Sequence, residues 1–316
     1  MTQAIQWDGG TITEPGVYTG IPLELYHNKL DLLDAPSVSK SSLKNLFPSL
    51  GGSPKAFWHQ WAQNPNRIEP KTTTALNLGK AVHALLLGDE VFSDGFAVQP
   101  ETYPDAKSGE VKSWNNNANY CKAWVQDQGG KVIVTNDQIE KIRRIAEDAA
   151  GHPLVQQGIL NGSVERSLFI KDAATGLWFK SRPDNEALDG FWADLKTTSS
   201  MDERFIQRQL KDNGYFIQGA GVRMACRELG LPFETFANVY VCTGDTPDTQ
   251  VIELSEDDLD LGEALIRHGL DTIHTCRKSG IWPGARPYEG RPVRINDYAR
   301  EVIEADLKTP QLEQAA

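Results

Sequence analysis

Two carboxylates and a lysine lie within one short stretch, RPDNEALDGFWADLKTT, at residues 182–198. Asp184 precedes Asp194 by ten residues, and Lys196 follows it by two. In a strand, residues i and i+2 face the same way, so Asp194 and Lys196 share one face while Ala193 and Leu195 take the other. Asp184 ends the preceding run, and the NEALDG turn folds the chain back towards Asp194. Two carboxylates brought together repel unless a proton or a cation sits between them. A hard divalent cation such as Mg²⁺ suits oxygen ligands. It polarises a phosphodiester and lowers the pKa of bound water. A lysine two residues on can orient or deprotonate that water, or stabilise the developing charge. The spacing therefore points to metal-assisted hydrolysis. The same residues also describe a surface hairpin with solvated charges, because D-x-K recurs by chance. Phe191, Trp192 and Leu195 around Asp194 favour burial, where a charge is costly unless paired or metal-bound.

Positioning such a site requires strands of the right period. SVERSLFIK (163–171), GLWFKSRPD (176–184) and GFWADLKTT (190–198) are short runs rich in apolar and aromatic residues, separated by turn segments. They predict a three-stranded antiparallel meander. Helices are expected at 202–212 and 215–229, strands at 233–243 and 249–255, and a helix at 256–279. Upstream the period is helical. PSVSKSSLKNLF (36–47) offers Ser39 as an N-cap. SPKAFWHQWAQNP (53–65) has Ser53 at the cap and Pro54 at the first helical position. Further helices are expected at 72–88, 113–127 and 136–150. The expected fold is α/β (α+β), a mixed central sheet flanked by helices. Residues 1–302 form one domain, with 1–160 mainly helical and 163–280 the core, and 303–316 form a flexible tail.

Composition narrows the function classes. The 316 residues are 40% apolar and 24% charged, an ordinary soluble balance. No apolar run approaches about 18 residues, so no membrane span is expected. The opening MTQAIQWDGG lacks the features of a secretory signal, which makes the cytoplasm the expected compartment. Cys121, Cys226, Cys242 and Cys276 lie far apart, which opposes zinc-ribbon, thioredoxin and iron–sulfur readings. The net charge of −11 opposes coating of nucleic acid by the whole surface. It leaves room for a local basic track. Over residues 203–227, Arg204, Arg208, Lys211, Arg223 and Arg227 outnumber Glu203 and Asp212. That cluster reads equally as a phosphate track or as a solvated helix face.

R-P-D followed by D-L-K-T-T resembles the P-D-(D/E)-x-K nuclease signature. More specifically, the chain resembles the RecE-type exonucleases (exonuclease VIII) of phages and prophages. YHNKLDLLDAPSVSKSSLKNL is similar to that family's opening, with a tyrosine–histidine pair and an S-K-S-x-L helix. LNLGKAVHALLLGDEVF resembles its L-x-L-G-x-x-x-H helix, and VERSLFIKDAATGLWFKSRPD its glutamate and R-P-D strands. YFIQGAGVRMA resembles its glutamine helix, and SGIWPG its closing tryptophan–proline segment.

The resemblance implies a restriction-endonuclease-like core and assigns roles. His83, Asp184 and Asp194 would be metal ligands, with the Leu195 backbone carbonyl as a further donor. Lys196 would be the catalytic lysine, Glu165 would contact metal or its water, and Gln218 would line the site. Arg182, Thr197, Thr198, Tyr215 and Arg223 are candidate DNA contacts, each with an ordinary structural alternative. Val222 stands where the family often has tyrosine. The implied activity is Mg²⁺-dependent 5′→3′ digestion of double-stranded DNA ends, with Mn²⁺ as a substitute, leaving 3′ single strands. A ring-shaped homo-oligomer and a RecT-type annealing recombinase as partner follow from the same resemblance. Two other readings stay open: another nuclease of the superfamily, such as a structure-specific or single-strand endonuclease, and a non-catalytic DNA-binding or interaction protein that keeps the fold.

Overall fold

The computed structural model describes residues 4–68, 95–160, 163–164, 166–188, 190–286, 292 and 294–308. His83, Glu165 and the helix expected at 72–88 lie outside the described residues. The chain opens with β1 (Ile5–Gln6), β2 (Gly16–Thr19), α1 (Leu23–Asn28), β3 (Ser37–Val38), α2 (Lys40–Leu43) and α3 (Pro54–Gln60). Then come β4 (Phe96–Val98), β5 (Thr102–Pro104), β6 (Val111–Ser113), α4 (Asn119–Asp127), β7 (Val132–Val134), α5 (Asn136–Gly151) and α6 (Pro153–Gln156). The described N-terminal part thus carries short strands among its helices. The helix expected from residue 113 begins at Asn119, because Val111–Ser113 pairs with Thr102–Pro104 as a hairpin. Helix α5 runs as expected from a reciprocal cap. The Thr135 hydroxyl accepts the Gln138 N–H at 3.2 Å, and the Gln138 side chain accepts the Thr135 N–H at 2.9 Å.

The second half supplies β8 (Ser163–Val164), β9 (Ser167–Lys171), β10 (Trp178–Ser181), β11 (Asn185–Leu188) and β12 (Phe191–Thr198). It continues with α7 (Glu203–Asp212), α8 (Tyr215–Leu229), β13 (Thr235–Cys242), β14 (Thr249–Glu253), α9 (Glu256–Ser279) and α10 (Asp297–Lys308). Two five-stranded sheets result, ordered β1-β2-β9-β10-β3 and β14-β13-β12-β11-β8. The continuous meander expected over 163–198 is therefore split. Strand β10 has β9 on one edge and β3 on the other, so no edge remains for β11. The chain changes sheets between Ser181 and Asn185, and Asp184 sits at that seam. Residues 297–308 are helical, so the tail expected from 303 is ordered helix for its first residues. No helix among the described residues is long and apolar enough to cross a membrane.

The second sheet is mixed, as expected: β12 and β13 run parallel through the α7–α8 crossover, and β13 pairs antiparallel with β14. Its faces are separated by strand alternation. Ala193, Leu195, Ala237, Val239 and Val241 pack with Ile142, Ile145 and Ala149 of α5. Trp192 and Phe236 belong to the opposite core, with Ile217 and Ala220 of α8 and Ile266 of α9. Asp194 and Lys196 must therefore project on the α8 side. That helix lies unusually close to its neighbours. A Cβ at Gly221 would come within 2.5 Å of the Phe179 ring, and one at Gly262 within 2.5 Å of the Ala220 Cβ. Close approach thus outweighs the helix propensity that glycine forfeits. Arg223 straps α8 to α9 through Glu263 at 2.7 Å, Glu256 at 2.8 Å and Asp260 at 2.6 Å.

Candidate active site

Strand β12 has β11 beside it only as far as Ala193, which pairs with Asn185. Beyond that point Asp184 takes over: its Oδ2 accepts the Leu195 N–H at 2.7 Å. A carboxylate from the seam thus replaces a ladder partner. In an extended strand a residue's N–H and C=O point to the same edge. The Leu195 carbonyl therefore faces the Asp184 side, as the sequence reading of that carbonyl as a donor requires.

Asp194 and Lys196 are both buried, at 4% and 8% exposure. The Lys196 ammonium donates to Asp194 Oδ2, and the Gln218 amide donates to Asp194 Oδ1. Lys196 also donates to Gln218 Oε1 at 2.9 Å, which closes a three-residue network. Its Nζ lies 4.3 Å from the centroid of the Tyr215 ring. Helix α8 thus delivers Gln218 and Tyr215 onto the charged pair one turn apart.

Burial, then the nearby Asp184 charge, raises the Asp194 carboxyl to about 6, against the pull of Lys196. Burial works to lower the Lys196 pKa, but Asp194, Tyr215 and Asp184 outweigh it and raise the ammonium above its ordinary value. Lys196 is therefore a cation at neutral pH. It is suited to hold negative charge or orient water, not to take a proton.

Sequence reasoning missed three residues here. Asn238 stands abreast of Asp194 and Tyr240 abreast of Lys196 in the parallel pairing. Both are fully buried, and the Asn238 amide and Tyr240 hydroxyl have no hydrogen-bond partner among the described residues. A polar residue in the apolar run ANVYVC was the available signal. The third is Lys40 of α2, whose Nζ lies 4.9 Å from the same Tyr215 ring. Burial, then repulsion by Lys196, pulls its pKa down to about 7 against the attraction of Asp194 and Asp184.

The other candidates are placed differently. Arg182 donates to the Ile21 carbonyl at 2.8 Å and lies over the Tyr26 ring. Thr198 donates to the Ser200 carbonyl at 2.8 Å, and its neighbour Thr197 points to the face opposite Lys196. Arg223 is engaged by its three carboxylates and is not brought to the site, because α9 presents its acidic first turns to α8.

Among the described residues no three His, Cys, Asp or Glu side chains gather as a metal cluster. The oxygen donors that do converge, Asp184, Asp194 and the Leu195 carbonyl, are those a hard divalent cation takes. Each carboxylate oxygen has two lone pairs, so the contacts to Lys196, Gln218 and Leu195 leave acceptor capacity. An Asp194 carboxyl whose proton affinity the neighbouring Asp184 raises, beside unpartnered buried polar atoms, fits a cation with its water.

A family model described as a PDDEXK-like domain of unknown function (DUF3799) matches residues 39–286. The chain belongs to that PDDEXK-like family. The matched span includes Pro183–Asp184 and Asp194–Leu195–Lys196. No curated protein matches the chain. Among solved structures, a Eubacterium rectale protein provisionally assigned as an exonuclease superposes with a TM-score of 0.59 at 14% identity, over 87% of this chain and 97% of that one. At that identity the likeness is one of fold, and it bears out the mixed α/β PDDEXK-like architecture.

Proposed function

We propose that this PDDEXK-like protein is a Mg²⁺-dependent exodeoxyribonuclease that digests double-stranded DNA 5′→3′ and leaves 3′ single strands. The observation that carries the hydrolytic reading is the buried network of Asp194, Lys196 and Gln218 facing Asp184. A divalent cation bound by the carboxylates would supply Lewis acidity and a more acidic water. Asp184 and Asp194 would hold that cation together with the Leu195 carbonyl, and His83 by resemblance. Mn²⁺ suits the same mixed donor set. Lys196 holds its proton and stabilises charge on the attacked phosphate. Gln218 keeps the Asp194 carboxylate and the Lys196 ammonium in register.

The exonuclease polarity, the ring-shaped oligomer and the RecT-type annealing partner rest on the resemblance to RecE-type enzymes. Exonuclease chemistry also accords with the provisional assignment of the Eubacterium rectale protein. The deciding experiment uses linear duplex labelled separately at each terminus, with closed circular DNA as control, for wild type and Lys196→Ala in Mg²⁺. Release of the 5′ label from linear DNA alone, lost in Lys196→Ala, is the expected result. Cutting of the circle would replace the exonuclease with an endonuclease. Binding without any cleavage would leave a DNA-binding protein that has kept the fold.

A further inference from the structure

We infer that Lys40 binds a phosphate of the nucleic-acid strand entering the Asp194–Lys196 site, so that α2 forms a second wall of that site. The inference rests on the nuclease reading only in taking DNA as the source of the phosphate. Lys40 comes from the N-terminal part of the chain, yet its ammonium lies 4.9 Å from the Tyr215 ring centroid, and Lys196 lies 4.3 Å from the same ring. Leu43 at the end of α2 belongs to the same buried core as Ile217 and Ala220 of α8, which fixes the short helix against Tyr215.

Lys40 makes no salt bridge or hydrogen bond through its ammonium to any described residue. The nearby carboxylates accept hydrogen bonds from other donors: Asp194 accepts from Lys196 and Gln218, and Asp184 Oδ2 accepts from the Leu195 N–H. A half-buried ammonium without a carboxylate partner is costly, and a ring face offsets little of that cost. Two ammonium groups over one ring also repel each other. A phosphate received between Lys40 and Lys196 removes both penalties at once. The flanking Ser39 and Ser41 line a cavity of about 730 Å³ that also includes Lys180. Lys40 does not line it and is turned to the catalytic side.

The test is fluorescence-anisotropy binding of a labelled duplex with a single-stranded tail, in EDTA, across a salt series. Wild type, Lys40→Met and Lys40→Arg are compared, with thermal midpoints as a folding control. Loss of one phosphate contact lowers the slope of log affinity against log salt by about 0.7–0.9 and weakens binding roughly three- to tenfold. That result is expected for Lys40→Met, with the slope restored in Lys40→Arg. Should Lys40→Met not fold, Lys40→Gln carries the same comparison. An unchanged slope in the neutral variants overturns the assignment, including when affinity falls, because a salt-independent loss marks a packing role. Cleavage in Mg²⁺ separates the two readings. If wild type shows the Lys40-dependent slope but never cleaves, the nuclease reading fails and the Lys40 site stands. If wild type cleaves and the slope does not depend on Lys40, the Lys40 site alone fails. If wild type binds no DNA, both fall.

Discussion

Asp184 Oδ2 accepts the backbone N–H of Leu195 at 2.7 Å, at the point where β12 has run past its β11 partner. One carboxylate thus fixes the strand that carries the other carboxylate and the lysine. Asp184→Asn retains an oxygen that can accept the Leu195 N–H but removes the charge. The fold is expected to persist, seen as an unchanged thermal midpoint in EDTA. Removing the negative neighbour also lowers the Asp194 pKa, because Asp184 is one cause of its rise. Mg²⁺ is expected no longer to raise the midpoint, and cleavage is expected to vanish.

The Asp194 carboxyl stands at about 6, above the ordinary carboxylate range. Without a cation, the folded protein holds this proton more firmly than the unfolded chain. That contribution to stability is present at low pH and is lost as pH rises through about 6. A cation acts with the opposite sign, since it needs the ionised carboxylate. Apparent Mg²⁺ affinity, read as a thermal shift, is expected to fall about tenfold per pH unit below pH 6 and to level off above it. A flat profile between pH 5 and 7 would contradict the raised Asp194.

Lys196 and Gln218 hold the two oxygens of Asp194 and each other. Lys196→Met is expected to lower the cleavage rate about 10²–10³-fold, the range for a lost charge-stabilising donor. Gln218→Glu places a third carboxylate against Asp194. It is expected to move the acid limb of the pH–rate profile upward, because like charges raise each other's pKa.

Arg223 is held by Glu263, Glu256 and Asp260, so its role is to join α8 to α9. Arg223→Ala is expected to cost about 1–2 kcal/mol in urea unfolding, with Glu256 and Asp260 largely in solvent and Glu263 keeping Arg227. The salt slope of DNA binding is expected to stay at the wild-type value. A reduced slope would restore Arg223 as a phosphate contact.

Gly221→Ala tests how closely α8 must approach β10, because the added Cβ would come within 2.5 Å of the Phe179 ring. Overpacking of this kind costs about 1–3 kcal/mol. Helix propensity alone predicts a gain. Equilibrium unfolding of the variant decides between them.

The sequence by itself determined the local parts. Alternation put Ala193 and Leu195 on one face of β12 and Asp194 with Lys196 on the other, because the side-chain period of a strand is two. Helices α5, α7, α8 and α9 lie where the sequence places them, and the ordered motifs pointed to a PDDEXK-like core. Tertiary structure decided what depends on distant pairing. Strands β1 to β3 join a sheet whose centre lies more than a hundred residues on, and β10 gives its edges to β9 and β3, which breaks the expected meander. Arg223 read equally as a phosphate contact or as part of a solvated helix face, and the acidic start of α9 laid against it makes it a link between α8 and α9. Lys40 drew no reading from the sequence, and it is α8 that brings Tyr215 to it. A local pattern encodes which way a side chain faces, and packing between remote segments decides what it meets.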